Sequence, residues 1–268
     1  MNQAADAHTY TWGLDLDGVI WSGIDPIAGS SEAVADLRAA GHEVVFVTNN
    51  SFSTIAQQEA KLASFGIDAT GSVITSAQAG ASLVEPGERA LVLGGPGVIE
   101  ALTEREVELV TPEQVASGVA AVEAAKIDAV VVGLDWELDY HRLGAAVQSI
   151  LAGARFIATN TDATYPSERG LLPGAGAIVA AVAAATGVAP TVAGKPEKPC
   201  ADLLRAKCGT VGVMVGDRPE TDGAFAVALG YEFGLVLSGV ATDPDGVEPT
   251  PAFVAADLAA LVAARLGG

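Results

Sequence analysis

Short apolar runs alternate along this chain with longer stretches whose apolar residues recur at helical spacing. Thr11 to Leu16 reads as a strand, and Ser30 to Ala40 as a helix capped by Ser30 or Ser31 and stopped at Gly41. Glu43 to Thr48 is apolar almost throughout, the pattern of a parallel strand covered on both faces. Ile55 to Phe65 reads as a helix ending at Gly66, and Val73 to Thr75 as a short strand leading into a helix through Leu83. A second series has strands at Arg89–Gly94, Ala129–Gly133 and Phe156–Thr159, and helices at Tyr140–Leu151 and Ala175–Thr186, with Gly187 closing the last. A third series, with strands at Gly212–Gly216 and Phe233–Leu237, resembles the first.

This rhythm predicts an α/β protein built on a doubly wound parallel sheet with right-handed crossovers. The likeness of the first and third series predicts one discontinuous α/β domain, residues 1–81 and 188–268. A second α/β domain is then inserted at residues 82–187.

Composition narrows the class. Half of the residues are hydrophobic but only 5% are aromatic, so Ala, Val, Leu and Ile must build the core. No apolar run is long enough and free enough of Gly to span a bilayer. Met1 to Tyr10 is polar, with neither a basic region nor an apolar signal core, which gives a cytoplasmic protein as the expectation. A net charge of −19 argues against nucleic acid or an anionic membrane as partner. It also means that an anionic substrate needs a local cation. If Cys200 and Cys208 share the helix after Pro199, about 12 Å of helix axis separates them, too far for a disulfide. With 3 His and no His/Cys cluster, zinc is not expected.

The chemistry sits at strand ends. Asp15 and Asp17, two positions apart on an extended chain, project to the same side. Such a pair is costly unless a cation or a proton intervenes, so it reads as a metal site or a nucleophile with its acid; Asp-Gly is also a common turn. Thr48-Asn49-Asn50-Ser51 follows the second strand, Gly194-Lys195-Pro196 precedes a helix that Pro196 should open, and Gly216-Asp217-Arg218-Pro219-Glu220-Thr221-Asp222 follows another strand. Singly, these have ordinary readings as a helix cap, a loop lysine and a turn. Together, placed at strand ends of the outer domain, they would converge on the crevice where open α/β sheets bind ligands. The set suits phosphoryl transfer. Asp15 would be the nucleophile and Asp17 the general acid and base. Mg²⁺ would be held by Asp15, the Asp17 main-chain carbonyl, Asp217 and Asp222. Thr48, Lys195 and backbone amides near Asn49 and Gly18 would hold the phosphoryl oxygens.

The order DxDG, TNN, GKP and GDRxxTD, with a long insertion between the second and third, resembles the haloacid dehalogenase superfamily, in the phosphatase branch with an inserted α/β cap. Val131–Asp135, Ala158–Asp162, Pro166 and Leu172–Gly176 are similar to stretches of those caps. The resemblance runs from about Tyr10 to Val240. It implies a Rossmann-like core with a cap, Mg²⁺-dependent hydrolysis of small phosphate monoesters through an aspartyl-phosphate, and the roles just given for Asp15, Asp17, Thr48, Lys195, Asp217 and Asp222. Gly223 and Tyr231-Glu232-Phe233 depart from the usual pattern without touching the chemistry. Asp17 separates the chain from the dehalogenases, which need no acid at that position.

Substrate identity would lie in the cap, closing over the crevice and excluding water. Asn50 and Ser51 from the core and Tyr165 and the neighbours of Asp162 from the cap are the residues expected to reach the leaving group. Glycerol 3-phosphate is favoured among the branch's substrates; phosphoglycolate, pyridoxal phosphate, sugar phosphates and nucleoside monophosphates are alternatives. The residues leave the oligomeric state open; caps of this branch commonly dimerise, and the resemblance thereby admits a homodimer through the cap. A rival of another class, a non-catalytic nucleotide-binding module, rests on Leu93-Gly-Gly-Pro-Gly-Val-Ile99, where a strand enters a Gly-rich turn without the full G-x-G-x-x-G spacing.

Overall fold

The computed structural model describes residues 10–115, 126–167 and 170–267. Met1 to Thr9, most of the polar N-terminal stretch, lie outside the described residues. The chain separates into two compact units. One comprises Met1–Val47, Glu59–Val73 and Ala201–Gly268, the other Thr48–Gln58 and Ile74–Cys200.

The first unit is built on a six-stranded sheet in the order Phe253–Ala255 (β15), Glu232–Val236 (β14), Gly212–Gly216 (β13), Thr11–Leu14 (β1), Glu43–Thr48 (β4), Val73–Thr75 (β5). Counted along the chain this is the order 3-2-1-4-5-6 of a doubly wound sheet, with its switch point between β1 and β13. Both are central and parallel, Leu14 lying opposite Val215. Every residue of both strands is buried, which explains why they read as continuous apolar runs rather than alternating ones. Helices Ser30–Ala39 (α1), Ile55–Ser64 (α2), Lys198–Lys207 (α7) and Ala224–Leu229 (α8) lie between its strands in the chain, and Leu258–Leu266 (α9) follows the last of them. A small antiparallel pair, Trp21–Ser22 (β2) with Asp25–Pro26 (β3), precedes α1.

The expected serine cap of α1 is corrected. Gly29 occupies the cap position at φ 79°, and a Cβ there would lie 2.8 Å from the Ala259 side chain of α9. Ser30 is already helical, and its hydroxyl donates to the Ile27 and Val19 carbonyls. Close approach of two helices, which local sequence does not encode, chose glycine over a capping side chain.

The second unit carries a five-stranded sheet in the order Thr191–Val192 (β12), Arg155–Ala158 (β9), Ala129–Val132 (β8), Arg89–Leu93 (β6), Glu108–Val110 (β7). Leu91, Leu93, Val130, Val132 and Phe156 face Tyr140–Leu151 (α5) and Ala175–Thr186 (α6) in one buried cluster. Ala90, Val92, Ala129, Val131 and Ile157 face Ser76–Ala81 (α3) and Pro96–Glu104 (α4) in another. Alternate residues of each strand thus enter two cores, the period-2 signature of a sheet covered on both faces. Asp139 caps α5 through the Arg142 amide, and Thr75 forms a capping box with Gln78 at α3. A hairpin, Thr164–Ser167 (β10) with Gly170–Pro173 (β11), completes the unit. No helix among the described residues is long and apolar enough to cross a membrane.

Candidate active site

Three carboxylates meet at the switch point of the first unit. Asp15 follows β1, its amide donating to the Val215 carbonyl at 2.9 Å, while Asp217 follows β13 and Asp222 comes from the turn Pro219–Gly223. Each offers an oxygen within 4.8 Å of the others, and all three side chains are buried, Asp222 completely. Like charges so close and so dry strongly disfavour a fully ionised, cation-free triad.

Glycines make room for this cluster. A Cβ on Gly18, which turns at φ 81°, would lie 2.4 Å from Asp217 Oδ2, and one on Gly239 only 1.9 Å from the same atom. A Cβ on Gly216 would lie 2.2 Å from the Asp222 carboxyl. The carboxylates are aimed by backbone donors, Val240 N–H to Asp217 Oδ2 at 2.6 Å and Arg218 N–H to Asp222 Oδ2 at 3.1 Å. An all-oxygen, carboxylate-rich donor set in a cradle that a methyl group would fill fits a small hard divalent cation.

Asp17 stands outside that triplet and is half-buried. Its Oδ1 accepts a hydrogen bond from the Trp21 indole N–H at 2.9 Å, and the Gly18 amide returns to the Trp21 carbonyl at 2.7 Å. Trp21 was not singled out in the sequence, because an apolar residue ending the D-x-D-G-V-I-W stretch reads as core.

The second unit assembles the other group of predicted residues. Thr48, buried, accepts from the Asn50 amide through its hydroxyl at 3.0 Å. Asn49 clasps Lys195 from both sides: its Oδ1 accepts from the Lys195 amide at 2.8 Å and its Nδ2 donates to the Lys195 carbonyl at 3.1 Å. The same Nδ2 also reaches Asp162 Oδ1 at 3.3 Å. Asn160, which sequence reasoning did not select as a site residue, donates to the Asn49 carbonyl at 2.7 Å, and so does the Ser76 hydroxyl. Lys195 is buried, not a solvated loop lysine. It follows β12, which pairs with β9 in the second sheet, whereas the strand pattern had placed this residue at a strand end of the outer domain. A two-residue strand is too short for its periodicity to say which sheet it joins. Nor does Pro196 open the next helix, which starts at Lys198.

Asn50 and Ser51 use their side chains internally. Asn50 Oδ1 accepts from the Phe52 and Ser53 amides, and the Ser51 hydroxyl accepts from the Leu134 amide at 3.1 Å. Tyr165 lies edge-on to Trp136, which is 65% exposed and stacks on Phe52 with ring centroids 4.7 Å apart. Trp136 was also missed, since a lone aromatic in a polar loop carries no periodic signal. Nearby, Arg142 is held on Asp135 Oδ2 by two donors at 3.1 and 2.8 Å.

The Gly-rich turn after β6 packs against the chain itself. The Gly97 amide donates to the Phe52 carbonyl and the Gly95 amide to the Leu134 carbonyl. A Cβ on Gly95 would strike the Phe52 ring at 2.3 Å, and one on Gly97 the Ser53 carbonyl at 2.4 Å. These glycines make room for residues 51–53 and leave neither amide for a phosphate. Burial pushes the Cys200 thiol up to about 12 despite the opposing charge of Lys195, so it is no thiolate nucleophile. Both cysteines are free.

The family model described as haloacid dehalogenase-like hydrolase matches residues 12–108, and a second, HAD-hydrolase-like model matches residues 192–261. An acid sugar phosphatase of Staphylococcus aureus is 37% identical over 252 residues, covering 90% of this chain and 92% of its own. The chain belongs to the haloacid dehalogenase-like hydrolases. Among solved structures, a glycerol phosphate phosphatase of Mycobacterium tuberculosis in complex with magnesium superposes with a TM-score of 0.83 at 35% identity, over 94% of this chain and 76% of that one. The p-nitrophenyl phosphatase of Archaeoglobus fulgidus also gives 0.83, at 28% identity over 96% and 99%. This haloacid dehalogenase-like hydrolase is thus a phosphatase of small phosphorylated substrates, with the core-and-cap α/β fold of its structural neighbours.

Proposed function

We propose that the chain hydrolyses small phosphate monoesters, glycerol 3-phosphate foremost, through an aspartyl-phosphate on Asp15. The observation that carries this reading is the buried meeting of Asp15, Asp217 and Asp222 at the switch point of the first sheet. Mg²⁺ is the cation that this donor set suits, held by Asp15, the Asp17 carbonyl, Asp217 and Asp222. When bound, it offsets the carboxylate charge that would otherwise repel a phosphate.

Asp15, ionised, attacks phosphorus, and the bond to the ester oxygen breaks with its electron pair on that oxygen. Asp17 gives its proton to the departing alkoxide. It then takes a proton from the water that attacks the acyl phosphate, which releases inorganic phosphate and restores Asp15. The Thr48 hydroxyl, the Lys195 ammonium and main-chain amides near Gly18 and Asn49 hold the phosphoryl oxygens as charge spreads over them. The Asn49 side chain serves by fixing Lys195. Asn50, Ser51 and Tyr165 belong to the leaving-group side.

The glycerol phosphatase and the acid sugar phosphatase both support a polyol or sugar leaving group. Two free cysteines fit a reducing cytoplasm, and a homodimer through the cap completes the proposal. A panel of phosphate esters ranked by kcat/KM, with and without EDTA, tests it. Glycerol 3-phosphate should lead and chelation should abolish turnover; EDTA-resistant hydrolysis would refute the metal requirement.

A further inference from the structure

We propose that Trp21 is a positioning residue for Asp17: its indole N–H holds one carboxylate oxygen so that the other is presented to the leaving group, and Lys61 strengthens that hold. This rests on the reading of Asp17 as proton donor. The Trp21 Nε1–H to Asp17 Oδ1 bond is 2.9 Å long, and the indole is 2% exposed while the carboxyl is half-buried. Two neighbours hold the ring. Lys61 Nζ lies 3.8 Å from its centroid and donates to the Gly23 carbonyl at 3.1 Å, and Phe65 packs against it with centroids 6.0 Å apart.

Each contact has a consequence. A carboxyl free to spin about Cβ–Cγ presents its proton in one direction only part of the time, and a donor on a locked ring removes that freedom. As the P–O bond breaks, the Asp17 proton moves to the ester oxygen, whose new electron pair accepts it, and Asp17 becomes a carboxylate. The indole bond to Oδ1 strengthens as that negative charge develops, so it favours the transition state over the ground state. An ammonium over the π face draws density from the indole and sharpens its N–H as a donor.

The readout is dependence on the leaving group. An alkoxide needs its proton as it departs, whereas p-nitrophenolate leaves well without one. Trp21→Phe keeps the ring and removes only the N–H. The proposal predicts that kcat/KM for glycerol 3-phosphate falls roughly tenfold, part of what a general acid supplies, while that for p-nitrophenyl phosphate falls less than about threefold. A loss of folded protein lowers both values alike and leaves their ratio unchanged, so the ratio reports the bond and not stability. Lys61→Met, which keeps the aliphatic stem over the ring, should move the ratio in the same direction by less; an unmoved ratio removes Lys61 from the proposal. Asp17→Asn is the reference and should show the same selectivity, much enlarged. If Asp17→Asn is selective and Trp21→Phe is not, the role of Trp21 is overturned while the role of Asp17 stands. If Asp17→Asn loses no more on the alkyl ester than on the aryl ester, Asp17 is not the proton donor, and the proposal for Trp21 falls with it.

Discussion

Gly239 carries no side chain where the carboxylate of Asp217 stands: a Cβ at residue 239 would lie 1.9 Å from Asp217 Oδ2. The adjacent Val240 amide donates to the same oxygen, so this turn both makes space for the carboxylate and aims it. Gly239→Ala should therefore push Asp217 off its position with little change to the surrounding core. Groups that orient a ligand typically alter metal affinity by about 10–100-fold, and a weakening of that order is the expected result. Calorimetric titration of Mg²⁺ into the wild type and the variant reads it without substrate; equal affinities would show that Asp217 does not serve as a ligand.

Asn49, next to Thr48 in the chain, holds the main chain of Lys195 through both ends of its side-chain amide. Asn49→Ala leaves the Lys195 amide without that acceptor and should destabilise the protein by about 1–3 kcal/mol. It should also lower kcat/KM on every ester alike, because the proposed task of the lysine is to hold the phosphoryl group that all substrates share. Thermal unfolding and kinetics on two esters test this. A selective loss on one ester would move Asn49 to the leaving-group side.

His42 gives the stability a defined pH dependence. Its ring packs against Trp12 and Tyr10, and burial, followed by the charge of Arg265, holds its pKa below the ordinary 6.5. Below pH 6.5 the unfolded chain takes up a proton that the folded ring resists, so folding loses stability as pH falls from 6.5 through the lowered value. Above pH 6.5 the contribution is complete. Thermal unfolding across that window should show a steeper acid-side decline in the wild type than in His42→Asn, and parallel curves would assign the slope to other groups.

The strand ends were legible because each motif's residue types are rare in that local context and occur in a fixed order. The long helices were legible too: Tyr140–Leu151 and the Ala-rich Ala175–Thr186 form as read, one begun by Asp139 and the other closed by Gly187. Features decided by a distant partner were not legible. Gly29 yields to Ala259, Gly95 and Gly97 yield to residues 51–53, and β12 chooses its sheet by pairing with β9. The antiparallel pairing of Thr164–Ser167 with Gly170–Pro173 was also missed, since both strands are short and β11 is exposed throughout. Trp21 and Trp136 act through single atoms or faces that a hydrophobicity pattern records only as bulk.

The proposed chemistry is covalent, with phosphate passing through the carboxylate of Asp15. Quenching the enzyme during turnover of p-nitrophenyl phosphate with borohydride converts an acyl phosphate to an alcohol. Peptide mass spectrometry should then find homoserine in place of aspartate at position 15, dependent on substrate and lost in Asp15→Asn. Reduction at Asp17, or no reduction anywhere under conditions of rapid turnover, would contradict the account.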